Sequence, residues 1–489
     1  MKANIDTGYC AWQAERDKRL LSRLQGLSER LPRTRDYQVE GLLKRVVGLT
    51  LEASGCHIPI GGRCAVETAH GGELEAEVVG FAGERSYLMA TGDMRGLLPN
   101  LRVRPLSEGL QVPVGDALLG RVIDDEGRVL DNKPSPRLPD RVPLIAAPLN
   151  PMERASITEP LDVGVRAINS MLTIGRGQRM GLFAGSGVGK STLLGMMTRY
   201  TAAEVIVVGL IGERGREVRD FIEKTLGPAG MRRAVVVAAP ADRPPLARIH
   251  AAWRATAIAE YFRDRGRQVL LLMDSLTRFA HAQREIGLAV GEPPATRGYT
   301  PSVFARLPQL IERAGNGKDN GGSITGLYTV LVEGDDNNEP IADAARAILD
   351  GHIVLSRDIA ESGLYPAIDI EASVSRVAKD IISPEQHSWS QSLRSLLGAH
   401  RSHRDLISIG AYQHGSDPQV DTAIRLWPQI EGLLKQDIHD GADYAGSVRQ
   451  LSQLISLSKP QDSPQEPKPN PSAAQQATTP QTDTQVNAA

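Results

Sequence analysis

Gly187, Gly189, Lys190 and Ser191 stand together in the run Gly181-Leu182-Phe183-Ala184-Gly185-Ser186-Gly187-Val188-Gly189-Lys190-Ser191-Thr192. These residue types at this spacing suit the holding of a phosphate chain. Small residues let successive backbone N–H groups turn toward one anion, and the helix that follows adds the unpaired N–H groups of its first turn. Gly185, Ser186, Gly187, Val188 and Gly189 form the cradle, Lys190 reaches the β- and γ-phosphates, Ser191 offers its hydroxyl to Mg²⁺, and Thr192 continues the helix. A phosphate loop ordinarily begins with glycine, whereas position 184 is alanine. A Gly-rich surface turn would look similar, but only a phosphate loop requires the strand before it and the helix after it.

Two carboxylates follow apolar strands. Val205-Ile206-Val207-Val208-Gly209-Leu210-Ile211 reads as a parallel strand buried on both faces, and it runs into Gly212-Glu213-Arg214-Gly215. In open α/β sheets functional groups gather at the carboxyl ends of strands. Glu213 is therefore expected near the γ-phosphate, where it can polarise an attacking water; opposing a helix dipole is the duller alternative. Gln268-Val269-Leu270-Leu271-Leu272-Met273-Asp274 likewise ends in an acid, the position of a Mg²⁺-water ligand once a phosphate loop precedes it. Arg278 opens the next helix, to order the phosphate site or to pair with Glu213. Pro366 holds Tyr365 extended, an aromatic for adenine or for the core.

The elements that must position these groups are strands alternating with amphipathic helices, the pattern of an α/β domain with a mostly parallel sheet. It is expected over residues 109–380. Ahead of it, residues 36–108 carry short strands broken by Gly61-Gly62 and Gly71-Gly72, which favours a small β-barrel. The run from Val112 to Asp140 reads as the passage between the two. Residues 1–35 form an arm whose helix spaces Trp12, Leu20, Leu21, Leu24, Leu27 and Leu31 by threes and fours before Pro32 stops it. It can pack locally or dock a partner. Residues 386–455 have helical spacing, as in Leu393, Leu396, Leu397, Ala423, Ile424, Leu426, Ile430, Leu433 and Leu434, and a small helical domain is expected over residues 381–457. Residues 458–489 are Pro/Gln-rich and are expected to be disordered.

Composition narrows the function. A formal charge of -2 over 489 residues and 4% aromatics leave little for nucleic acid to bind, so no nucleic-acid partner is expected. The 3 cysteines, Cys10, Cys56 and Cys64, are too sparse and ill-spaced for disulfides or zinc and fit a reducing compartment. No signal peptide or membrane span is read. A cytoplasmic protein is expected, bound at most to one side of a membrane.

Further strings carry a resemblance: Met273-Asp274-Ser275-Leu276-Thr277-Arg278-Phe279-Ala280, Gly291-Glu292-Pro293-Pro294-Ala295, Asp350-Gly351-His352-Ile353-Val354-Leu355-Ser356-Arg357 and Tyr365-Pro366-Ala367-Ile368-Asp369. With the phosphate loop and the Glu213 segment, they make the chain resemble the rotary ATP synthase catalytic subunits and, more closely, the flagellar protein-export ATPases, from about residue 36 to about residue 436. In that family alanine at position 184 is usual. The resemblance implies a RecA-like P-loop core hydrolysing ATP with Mg²⁺, with Lys190, Glu213, Arg214, Arg278 and Arg376 catalytic, Ser191 and Asp274 at the metal, and Tyr365 at the adenine. Arg376 matches an arginine given across a subunit boundary to the neighbour's γ-phosphate. Since one chain carries both Glu213 and Arg376, a homohexamer of equivalent sites is implied, and loss of such an arginine costs about 10³–10⁵ in rate in other phosphoryl-transfer enzymes.

The partners implied are a homodimeric negative regulator at the N-terminal arm, a central coiled-coil stalk protein facing the helical domain, the membrane proteins of the export gate, and export chaperones with their substrates. Association with the inner membrane would be peripheral. The matching ATPase of a virulence injectisome is the nearest alternative, with Asp369-Ile370-Glu371-Ala372-Ser373 and Leu172-Thr173-Ile174-Gly175 leaning flagellar. A hexameric RNA-dependent helicase would need a nucleic-acid surface on the barrel. A non-catalytic ring subunit is opposed by Glu213.

Overall fold

The computed structural model describes residues 15–26, 39–106, 109–318, 321–332 and 339–458. Residues 15–26 form a helix. Leu20, Leu21 and Leu24 on it are exposed. Trp12, Leu27, Leu31, Pro32, Cys10, the run Glu333-Gly334-Asp335-Asp336 and the Pro/Gln-rich segment after residue 458 lie outside the described residues.

Strands Gly41–Val47, Thr50–Ser54, Arg63–Glu67, Glu73–Ala82, Arg85–Ala90 and Arg102–Pro105 close into a barrel. Alternation builds it: Leu74, Ala76 and Val78 point inward from Glu73–Ala82, and the glutamates between them point outward. Leu43, Leu51, Val66, Leu88 and Val103 fill the interior. The closing strand, Arg102–Pro105, pairs antiparallel with both Gly41–Val47 and Arg63–Glu67. Closure removes the open edges on which another chain could pair. Cys56 and Cys64 are buried free thiols. Burial, with Cys56 and Glu77 nearby, pushes the Cys64 thiol up to about 12, which suits an inert structural role.

A nine-stranded sheet forms the centre of the molecule. Its main path runs Ile368–Ser375, Gly351–Leu355, Arg179–Ala184, Ser323–Leu331, Gln268–Asp274, Val205–Ile211, Ala234–Ala239 and Arg121–Ile123. Pairing along this path is parallel except for Ile368–Ser375, which runs antiparallel to Gly351–Leu355. Arg121–Ile123 corrects the reading of residues 112–140 as a mere passage, because it adds an edge strand to the sheet beside Ala234–Ala239. Three residues are too few to show a period in sequence. Arg121 is held there by two hydrogen bonds to Asp131, at 2.8 and 3.0 Å.

Separate apolar clusters cover the two faces of the sheet. Helix Pro245–Arg263 lies on one face, and all 19 of its residues are buried. Its small residues allow close approach to the sheet. Its charged residues find partners on other elements: His250 with Glu77 of the barrel, Arg248 with Glu285, and Glu260 with Arg313. This matters because buried charges are retained only when paired and hydrogen-bonded.

Helices Pro384–Ser402, Pro418–Leu434 and Tyr444–Ser458 build the helical end around Leu393, Leu426, Ile430, Leu451 and Leu454. Ser383 and Asp417 cap the first two, each followed by proline in the first turn. Gln436 ties this end to the nucleotide domain. Its side chain bonds Arg166 N and Gly164 O, and its own N–H donates to Tyr365 O at 2.9 Å. Among the described residues no helix is long and apolar enough to cross a membrane.

Candidate active site

Strand Arg179–Ala184 is buried from Met180 onward and leads into the loop Gly185–Gly189. Val188 is buried and anchors the loop. Gly187 at φ 83° and Gly189 at φ 94° take the left-handed conformation that side chains resist. Helix Lys190–Tyr200 then starts with no side-chain hydrogen bond to its N-terminal cap. Its first N–H groups therefore have no side-chain acceptor and face the cradle, an arrangement suited to phosphate oxygens.

Strand order brings the charged groups to this loop. Ser323–Leu331, Gln268–Asp274 and Val205–Ile211 lie side by side beyond Arg179–Ala184, with Leu210 in register with Asp274. Glu213 and Asp274 thus leave neighbouring strands at the same edge. Lys190 Nζ donates to Asp274 Oδ1 at 2.5 Å and lies 3.6 Å from Glu213 Oε1. All three side chains are largely buried, at 13%, 12% and 8% exposure for Lys190, Glu213 and Asp274. Burial alone would lower the Lys190 pKa, but Asp274 and Glu213 outweigh it and hold the ammonium charged. Burial raises Glu213 to about 7, with Lys190 opposing and Asp274 and Glu217 adding to the rise. Glu213 Oε1 is buried with no hydrogen-bond partner, so it has an open acceptor position for a water.

Tyr365 closes another side of the cradle. A Cβ built on Gly189 would lie 3.6 Å from its ring. Tyr365 is 44% exposed, so part of it is open to solvent beside the loop.

Residues 164–375 match the ATP synthase alpha/beta family, nucleotide-binding domain, and residues 382–453 match the T3SS EscN ATPase C-terminal domain. The flagellum-specific ATP synthase of Salmonella typhimurium is 58% identical over 435 residues, covering 87% of this chain and 95% of that one. Its counterpart in Pseudomonas aeruginosa is 55% identical, covering 88% and 97%. The chain belongs to the flagellum-specific ATP synthases of the ATP synthase alpha/beta family. It is an ATPase. Among solved structures, the assembled ATPase EscN of the enteropathogenic E. coli type III secretion system aligns with a TM-score of 0.81 at 42% identity, covering 85% of this chain and 100% of EscN. EscN in complex with its central stalk EscO aligns with a TM-score of 0.78 at 41% identity, over 85% of this chain and 100% of that one.

The remaining residues that the sequence reading expected at the site fall in different places. Arg278 passes over Gly212, where an added Cβ would meet the Arg278 Cβ at 2.9 Å. Its buried Nε has no hydrogen-bond partner. Of the two roles expected for it, pairing with Glu213 is not made; the ion pair of Glu213 is with Lys190. Arg214 caps helix Gly215–Asp220, and its guanidinium is 79% exposed beside Glu217. Arg376 lies at the other edge of the sheet. Its N–H bonds Asp350 O, and Asp350 N–H bonds Arg179 O, at the start of the strand whose end leads to Lys190. At ~3.3 Å per residue the strand length separates them by roughly 17 Å. The Arg376 guanidinium donates to Arg346 O at 3.0 Å.

Thr329 was not visible as a site residue in the sequence. Its Oγ1 donates to Asp274 Oδ1 at 2.6 Å from the adjacent strand. Ser323, Thr325 and Tyr328 carry hydroxyls on the same strand, so sequence alone does not single out Thr329.

Proposed function

We propose that this ATPase hydrolyses Mg-ATP as a homohexamer that serves flagellar type III protein export. The observation that carries the reading is the separation, within one chain, of Arg376 from the edge bearing Lys190, Glu213 and Asp274. An arginine at that distance cannot serve its own nucleotide, so each site takes it from a neighbouring copy. Assembly of the EscN relative supports the ring.

Lys190 and the loop Gly185–Thr192 bind the phosphates. Ser191 and Asp274 would hold Mg²⁺, which would supply positive charge against the phosphates of the bound nucleotide. The fit rests on the uncapped helix start and on the unpartnered Glu213 oxygen. Glu213 accepts the proton of the attacking water, Tyr365 stacks on adenine, and Arg214 and Arg278 order the surrounding charge. The helical end meets a coiled-coil stalk; the solved complex of EscN with its central stalk EscO supports a stalk partner. The N-terminal helix docks a homodimeric negative regulator. Chaperoned substrates are released at the ring and passed to the export gate, with the enzyme held peripherally at the cytoplasmic face of the inner membrane.

The injectisome reading draws on the EscN structures and the C-terminal match. Flagellar relatives at 55–58% identity, against 41–42% for EscN, favour the flagellar system.

Mixing Arg376→Ala with Glu213→Gln tests the ring. Each variant alone is nearly inactive, and activity returns on mixing because some interfaces pair an intact Glu213 with an intact Arg376. Mixed rings that form without any recovery of turnover would overturn the shared site. Loss of motility on deleting the gene, restored by the parent and not by Glu213→Gln, tests the flagellar assignment.

A further inference from the structure

Asp274 has two carboxylate oxygens, and one of them accepts twice. Oδ1 accepts from Lys190 Nζ at 2.5 Å and from Thr329 Oγ1 at 2.6 Å. Thr329 belongs to Ser323–Leu331, the strand between that of the phosphate loop and that of Asp274. Met273 and Tyr328 are in register, so Thr329 falls directly beside Asp274. It is 1% exposed.

The Thr329 hydroxyl has one proton. Met273 O lies 3.3 Å away, against 2.6 Å for the carboxylate. A charged acceptor gives the shorter and stronger bond, so the proton goes to Asp274. β-Branching restricts χ1 in a strand. The strand end is tied down as well, since Leu331 N–H donates to Thr277 Oγ1 at 2.9 Å in the helix that follows Asp274. The hydroxyl is thus held in place relative to the carboxylate by two elements.

Lys190 cannot give Asp274 the same service throughout a turnover. Its ammonium is the group that meets the phosphates, and when a nucleotide arrives its bond to Asp274 competes with phosphate oxygens. The Thr329 bond has no such competitor, because it comes from the interior side of the strand. It orients the carboxylate through Oδ1, and Oδ2 would then be free to serve the metal's hydration shell.

We propose that Thr329 is a positioning residue for Asp274 and sets the metal affinity of the nucleotide site. The proposal rests on the assignment of Asp274 to Mg²⁺. Groups that orient a metal-binding carboxylate typically change metal affinity or activity by about 10–100-fold when removed.

The test compares Thr329→Val, Thr329→Ser and Asp274→Asn with the parent. Two readouts are used: Mn²⁺ binding in the presence of ADP, followed by electron paramagnetic resonance, and the Mg²⁺ concentration for half-maximal ATPase rate. Thr329→Val keeps the shape of the side chain and loses the hydroxyl. It should weaken Mn²⁺ binding and raise the Mg²⁺ requirement by about 10-fold or more, with KM for ATP at saturating Mg²⁺ little changed. Thr329→Ser should come back to within about threefold of the parent, since it restores the donor. Asp274→Asn should be impaired at least as strongly as Thr329→Val.

Parental Mn²⁺ affinity in Thr329→Val beside an impaired Asp274→Asn overturns the role of Thr329 alone. Parental affinity in Asp274→Asn overturns the metal assignment and this proposal with it. Equal impairment in the Ser and Val variants points to packing and also overturns it. Should Thr329→Val be too unstable to purify, Thr329→Ala removes the same hydroxyl without crowding and is read in the same way.

Discussion

Lys190 Nζ stands 2.5 Å from Asp274 Oδ1, across two strand boundaries of the central sheet. The buried ammonium is balanced by this carboxylate and, at 3.6 Å, by Glu213. The positive charge proposed to meet the phosphates therefore also neutralises two acids that would otherwise repel each other. Removing it should change the site twice, by loss of the proposed phosphate partner and by leaving two buried carboxylates uncompensated.

Lys190→Ala and Glu213→Gln should consequently separate. Lys190→Ala should abolish tight Mg-ATP binding, measured with a fluorescent nucleotide. Glu213→Gln keeps the shape of the side chain and should bind nucleotide at near parental affinity, while phosphate release falls by about 10²–10⁴ as general-base assistance is lost. Near parental turnover in Glu213→Gln would make that residue structural.

Gly189 takes φ 94°, and a Cβ there would lie 3.6 Å from the Tyr365 ring. The space is ordinary, so the penalty of Gly189→Ala comes from the backbone, about 1–2 kcal/mol for a left-handed L-residue. The loop should relax away from the cradle conformation. Nucleotide affinity should fall at least tenfold while the thermal midpoint of the nucleotide-free protein shifts only slightly. Unchanged affinity would show that the cradle does not need this conformation.

Leu20, Leu21 and Leu24 are between 50% and 61% exposed on the helix of residues 15–26. Side chains this exposed contribute little to the fold of the enzyme. Deleting residues 1–31 should leave intrinsic ATPase turnover within about twofold, since single exposed apolar residues need no folding explanation. Capture of the proposed homodimeric regulator from the same cell should be lost. Retained capture would exclude the arm as the docking segment.

His281 gives a pH signature. Burial, followed by Arg284, Arg278 and Arg248, pushes its pKa down from 6.5 to about 4. Its Nε2 lies 3.0 Å from the Tyr299 hydroxyl, and Arg248 itself is paired with Glu285. The unfolded chain takes up this proton near pH 6.5 and the folded chain only near 4. The contribution to stability is therefore complete above 6.5 and is lost as pH falls through that window. Denaturant midpoints of the parent and His281→Gln should converge between pH 7 and pH 4. A constant difference across that range would show that His281 titrates normally.

Much of the local chemistry was legible in the chain. The phosphate loop could be read because glycine conformation and helix initiation are properties of a dozen consecutive residues, and the structure keeps Gly187 and Gly189 at positive φ before Lys190. Asp274 could be read because a buried strand must be apolar until it emerges. The barrel strands could be read from short runs broken by Gly pairs, and Cys56 and Cys64 are free as their spacing suggested. Tertiary structure decided which of these residues meet. Nothing local says that Ser323–Leu331 inserts between the strands of Lys190 and Asp274, and that insertion brings in Thr329. Strand pairing also made Arg121–Ile123 and Arg102–Pro105 into elements, since segments so short have no period and exist only through their partners. The antiparallel return of Ile368–Ser375 carried Arg376 to the edge opposite the phosphate loop. Sequence spacing records distance along the chain, whereas strand order and direction set distance in space, and these depend on pairings between residues far apart in the chain.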